Sequence, residues 1–145
     1  MVCVMKRKNT DQLLKELMDS NDLSRVLSDN SACFRKSDLP HGLQALFDQQ
    51  DMSKSALAKA SGISEVYLHQ VFSGRRTPSR DRLLCLCIGL GASTEETQSL
   101  LQQAHHAPLY ARDKREAVLL FGLSHSLTLP EINDALFTAG AETLL

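Results

Sequence analysis

A chain of 145 residues with 43% hydrophobic residues, 5% aromatics and no Trp has the apolar content for one domain, or a compact domain with short appendages, built from Leu/Ala-rich helices. No apolar run approaches the ~20 residues that span a bilayer, and Lys6-Arg7-Lys8 follows a short apolar start instead of preceding it, so neither a membrane span nor a signal peptide is expected and a cytoplasmic protein is. The net charge of −1 argues against a nucleic-acid partner until its distribution is considered. Residues 53–82 carry Lys54, Lys59, Arg75, Arg76, Arg80 and Arg82 against Glu65 and Asp81, a segment of +4 in a chain whose remainder is −5. Cations concentrated in one stretch are what a phosphate-facing surface needs.

In chain order, residues 1–10 read as disordered. Leu13, Leu14, Leu17 and Met18 then mark a helix near 11–18, and Leu23, Val26 and Leu27 a shorter one after Asn21-Asp22. The polar stretch 28–37 reads as a linker, so residues 1–37 form an N-terminal helical segment. Asp38 can cap a helix with Pro40 in its first turn and Leu43, Leu46 and Phe47 on one face. Ser53 can cap a short helix carrying Leu57 and Ala58 inward. Gly62 stops it, because a left-handed C-terminal residue costs least at glycine. Ser64 can cap the next helix, with Leu68 and Val71 inward beside Ile63. Gly74 ends it, Pro78 follows, and Leu83, Leu86, Cys87 and Leu90 mark another amphipathic helix. Two short helices about a tight glycine turn make a helix-turn-helix.

An internal repeat of two-helix units follows. Leu86, Gly89 and Leu90 recur as Leu119, Gly122 and Leu123; after a loop two residues longer, Ser93, Glu96, Leu101 and Ala104 recur as Thr128, Glu131, Leu136 and Ala139. Ser93 with Glu96 and Thr128 with Glu131 have capping-box spacing. Helices are therefore expected near 80–90, 94–104, 112–124 and 129–139, and no alternating β-branched stretch suggests a strand.

Signals for metal or catalysis are weak. Cys85 and Cys87 point to different faces of a helix, and neither they nor Cys3 and Cys33 have partners at zinc spacing, so all four read as small thiols in a reducing compartment. His105-His106 read as a polar loop, and Ser124-His125-Ser126 lacks the arrangement of an activated nucleophile. No metal, cofactor or catalytic site is expected.

The ungapped run Leu57-Ala58, Gly62-Ile63-Ser64, Leu68, Gly74, Arg76, Pro78-Ser79, Leu83-Leu84 and Leu90-Gly91 resembles the XRE, or lambda-repressor-like, helix-turn-helix family over roughly residues 40–104. The stretch Ala107-Pro108-Leu109-Tyr110-Ala111-Arg112-Asp113 and the helices after it look like an extended bacterial subgroup of that family. The resemblance implies an all-α, five-helix DNA-binding domain at 38–106. The helical pair at 107–145 would pack on it or dimerise. It further implies a transcriptional regulator that binds double-stranded DNA as a homodimer, nucleoid-associated when bound.

In that family the helix opening at Ser64 enters the major groove. By position, Glu65, Val66 and Gln70 would meet base edges, Lys54, Ser64, Arg75 and Arg76 would hold phosphates, and Tyr67 and His69, on the exposed side, could do either. Departures are Lys54 and Glu65 where Gln is common, and Phe72 where a Glu commonly makes a buried ion pair. Phe72 is expected to pack on Leu43 or Phe47. The competing reading is a protein-interaction module that keeps the fold and has lost the DNA surface.

Overall fold

The computed structural model describes residues 9–31 and 39–145; the sequence readings of residues 1–8, of 32–37, of Cys3 and Cys33 and of the Asp38 cap fall outside them. The chain divides into two compact units, residues 1–36 and 37–145. All regular elements among the described residues are helices.

The first unit holds α1 (Thr10–Asp19) and α2 (Leu23–Asp29). Asn9 and Gln12 cap α1 reciprocally, Gln12 N–H donating to Asn9 Oδ1 at 2.8 Å and Asn9 N–H to Gln12 Oε1 at 3.1 Å. Asn9 and Thr10 thus belong to the helix start and not to a disordered lead, because two otherwise orphaned amides are satisfied there. The buried Asn30 donates to Val26 O and to Glu16 Oε1, so α2 is closed onto α1 where a linker was expected to begin.

The second unit holds α3 (Leu39–Gln49), α4 (Lys54–Ser61), α5 (Glu65–Phe72), α6 (Arg80–Leu90), α7 (Thr94–Gln103), α8 (Lys114–Ser124) and α9 (Leu129–Thr138). The Ser/Thr/Asp punctuation works as its chemistry dictates. Ser53, Ser64, Ser79, Ser93, Asp113 and Thr128 each accept an amide from the third residue beyond. Gly62, at φ 68°, turns the chain from α4 into α5.

Helix α6 is the centre of this unit. Its sequence suggested one apolar stripe, yet Leu84, Cys85 and Ile88 are buried as well as Leu83, Leu86, Cys87 and Leu90. The reason is tertiary: α4, α7 and α9 all pack against it, so it has almost no solvent face. The crossing with α4 is close at Gly89, where a Cβ would lie 3.1 Å from Ser61 Cβ and 3.2 Å from Ser61 N. Truncating a fully buried leucine such as Leu68 or Leu83 to Ala would cost about 2–5 kcal/mol.

The two-helix repeat is present, with a corrected register. Ala92 N–H donates to Cys87 O and Leu127 N–H to Gly122 O, both at 2.9 Å, around the left-handed residues Gly91 and Ser126. Gly122 therefore stands where Cys87 stands in the first unit, not where Gly89 does, and the loop carries no insertion. Both registers place leucines on core positions, which is why residue spacing alone favoured the wrong one. Gly122 instead lets α8 and α9 approach closely, since a Cβ there would lie 2.5 Å from Ile132 Cγ1 of α9.

A constant offset of 35 residues also relates devices that the sequence did not pair. Gln98 clamps the Leu109 backbone, accepting its N–H at 2.7 Å and donating to its carbonyl at 2.9 Å; Asn133 does the same to Leu144 at 2.7 and 2.9 Å. Arg80 donates to Ala107 O and Pro108 O, and Arg115 to Glu142 O and Thr143 O. Each arginine also reaches across to the other hairpin. Arg80 grips Glu116 at 3.1 and 3.0 Å, and Arg115 grips Asp81 with both bonds at 3.1 Å. Since Arg80 is equivalent to Arg115 and Asp81 to Glu116, the contacts are reciprocal, and the α6–α7 and α8–α9 hairpins meet in a pseudo-two-fold manner.

Candidate nucleic-acid interface

Ser64 starts α5 by accepting the Tyr67 amide at 3.2 Å, and its own hydroxyl proton remains available to a ligand. Helical spacing then separates two faces. Leu68 and Val71 are fully buried, while Glu65, Val66 and His69 are exposed and Gln70 half-exposed on the outer side. Val66 retains 69% of its surface, so it covers no neighbour of its own and stands as an apolar contact beside polar ones. The expected base readers Glu65, Val66 and Gln70 thus share an uncovered strip with His69.

Just past α5, Gly74 at φ 82° reverses the chain, and the amides of Arg75 and Arg76 both donate to Gln70 O, at 2.9 and 3.2 Å. That turn sets two exposed arginines beside the C-terminal end of α5, where the macrodipole also favours cations. The following loop is pinned from behind, His106 Nε2 lying 3.0 Å from Pro78 O.

Three sequence expectations are corrected. Tyr67 is not on the exposed side with His69: only 8% of its surface is accessible, and the Arg76 and Arg82 guanidinium groups lie 5.1 and 4.5 Å from its ring centre. Lys54 does not present a free ammonium. Its Nζ sits 3.2 Å from the Phe72 ring centre and 4.5 Å from that of Phe47, and desolvation there lowers its pKa against a weaker opposing pull from Asp48. The two rings meet edge to face at 5.7 Å, so Phe72 packs on Phe47, one of the two partners expected. The cation–aromatic cluster joins one residue each from α3, α4 and α5.

Arg80, finally, is no part of an open positive surface, because Glu116 and two carbonyls consume its donors. Asp81 is paired with Arg115, although its side chain stays 43% exposed. Arg75, Arg76 and Arg82 remain exposed, and among the described residues none of them is paired with a carboxylate. The sequence counted the charges of the segment correctly but assigned two of them to the wrong side. The signal that was missed was the Arg-acid dipeptide repeated at the starts of α6 and α8.

Residues 38–100 match the family model described as a helix-turn-helix domain. This segment is a helix-turn-helix domain. The match agrees with the helix-turn-helix that the residue pattern from Leu57 to Gly91 implied. No curated protein and no solved structure matches the chain. The helix-turn-helix is formed by α4 and α5, with α8–α9 lying beyond the matched segment.

Other chemistry-bearing groups are placed as follows. Burial pushes the Cys87 thiol up to about 12 and the Cys85 thiol up to about 11. Ser124 Oγ lies 3.1 Å from His125 Nδ1, but both groups are within hydrogen-bond distance of Phe121 O, at 3.0 and 2.8 Å. An Nδ1 that donates to a carbonyl is no base for the serine. Among the described residues, no group of three His, Cys, Asp or Glu side chains is placed to hold a metal ion, and no helix is long and apolar enough to cross a membrane.

Proposed function

We propose that this protein is a DNA-binding transcriptional regulator, of the extended bacterial subgroup it resembles, that lays α5 in the major groove. It acts as a homodimer on paired half-sites. The observation that carries the reading is the uncovered outer strip of α5, Glu65, Val66, His69 and Gln70, bordered by the exposed Arg75 and Arg76. In this arrangement Gln70 pairs with adenine, Val66 touches a thymine methyl and Glu65 accepts from cytosine N4. Ser64, Arg75 and Arg76 hold phosphates and supply the sequence-independent part of the affinity. The protein has no catalytic role and works in the cytoplasm, on the nucleoid.

Fluorescence anisotropy with duplex DNA at two salt concentrations tests this. Binding should be present at low salt and weaken steeply as salt rises. Arg75→Ala with Arg76→Ala should weaken binding to all sequences, whereas Gln70→Ala should change preference among them. No binding at low salt, or binding indifferent to salt, overturns the proposal. Light scattering tests the dimer, which should report twice the chain mass.

One observation favours a second reading, a protein-interaction module. Glu65 sets a carboxylate at the first outward position of α5, and Lys54 is engaged by Phe47 and Phe72. A purified, stoichiometric protein partner that DNA fails to displace would decide for it.

A further inference from the structure

Building on the DNA-binding reading, we propose that Tyr67 is a positioning residue whose ring fixes Arg76 and Arg82 as a paired-guanidinium clamp on the DNA backbone. Arg82 is thereby a phosphate contact in its own right. The two arginines come from different elements, Arg76 from the loop after α5 and Arg82 from the first turn of α6, and the Tyr67 ring is their common surface. The ring is itself anchored in the reading helix beside the fully buried Leu68. A planar guanidinium is attracted to an aromatic face and keeps its in-plane donors available when stacked, so it can rest on Tyr67 and still receive phosphate oxygens. Holding both groups before DNA arrives removes part of the ordering cost of long side chains on binding.

The surrounding charges are arranged to keep this pair open. Asp81, adjacent to Arg82 in sequence, points away from it as successive helical residues do, and is held by Arg115 at 3.1 Å. Arg80, on the other side of Asp81, is turned onto Glu116 at 3.0 Å. Three successive charged residues at the start of α6 are therefore sorted: two bind the α8–α9 hairpin and its flanking loop, and the third faces outward onto Tyr67. The hairpin thus shapes the DNA surface without touching DNA.

The test uses the full chain and a labelled duplex of random sequence, with anisotropy titrations from 50 to 200 mM NaCl, as a range in which phosphate contacts register strongly. Arg82→Ala should lower the slope of log affinity against log salt by about 0.9, the value of one lost phosphate contact. Tyr67→Phe should keep the wild-type affinity, whereas Tyr67→Leu should keep the slope and lower affinity several-fold while the circular dichroism of the fold is retained. Should Tyr67→Leu unfold, Arg82→Lys carries the test: it keeps the charge and loses the flat stacking face, so the slope holds and affinity falls several-fold. An Arg82→Lys protein of wild-type affinity overturns the platform.

Two failures are distinguishable. If wild-type protein does not bind DNA, the parent reading falls and this inference with it. If wild-type binds and Arg75→Ala lowers the slope while Arg82→Ala does not, DNA binding stands and the clamp is overturned.

Discussion

The reciprocal ion pairs make a quantitative claim about how the α8–α9 hairpin is held. Glu116 accepts from Arg80 at 3.1 and 3.0 Å and from the Tyr110 amide at 2.8 Å, and the side chains of Arg80 and Glu116 are only 24% and 16% exposed. Charge-assisted hydrogen bonds in such sites contribute about 1.5–3 kcal/mol, while open surface pairs contribute about 0–1. Glu116→Ala should therefore cost about 2 kcal/mol, near the middle of that range. Asp81, with its side chain 43% exposed, should cost about half as much when removed, although it occupies the equivalent repeat position. A double-mutant cycle with Arg80→Ala and Glu116→Ala, read as the urea midpoint at constant m, should give a coupling of about 1–2 kcal/mol. Amide exchange in α8 and α9 should accelerate first, because those helices lose their link to α6. A coupling within about 0.3 kcal/mol of zero would refute the reasoning, leaving the pair as geometry without energetic consequence.

Other predictions are more local. Asn133→Ala leaves the Leu144 amide and carbonyl without their partner and should cost about 1–3 kcal/mol, with Gln98→Ala at Leu109 costing a similar amount; thermal melts that leave either variant unchanged would refute the shared role. Gly122→Ala drives a methyl into Ile132 and should destabilise by about 1–3 kcal/mol, and an unchanged urea midpoint would refute the close approach of α8 and α9. In a Cys3→Ser/Cys33→Ser background, iodoacetamide at mildly alkaline pH should leave folded Cys85 and Cys87 untouched, because burial raises both thiols to about 11 and about 12. Mass spectrometry should show both modified only after urea unfolding, and labelling of the native protein at a free-thiol rate would contradict the burial.

Sequence alone determined the local architecture. Caps, glycine stops and periodicity placed α3 to α9 because each helix terminus is decided by a few adjacent residues, Ser64 and Gly62 among them. The spacing of Leu57 to Gly91 identified the helix-turn-helix for the same reason. Which residues stand outward on α5 was mostly legible, and Tyr67 was the exception, since its burial depends on arginines 9 and 15 residues further on. Tertiary structure decided the rest. Net charge could be summed from composition, but whether Arg80, Arg82 and Asp81 face a partner helix or solvent depends on where α8 docks, and Lys54 is engaged only because Phe47 and Phe72 come together. The true register of the repeat was likewise settled by backbone hydrogen bonds at Cys87 and Gly122. Short-range rules write themselves into neighbouring residues, whereas long-range pairings are fixed only when the chain closes on itself.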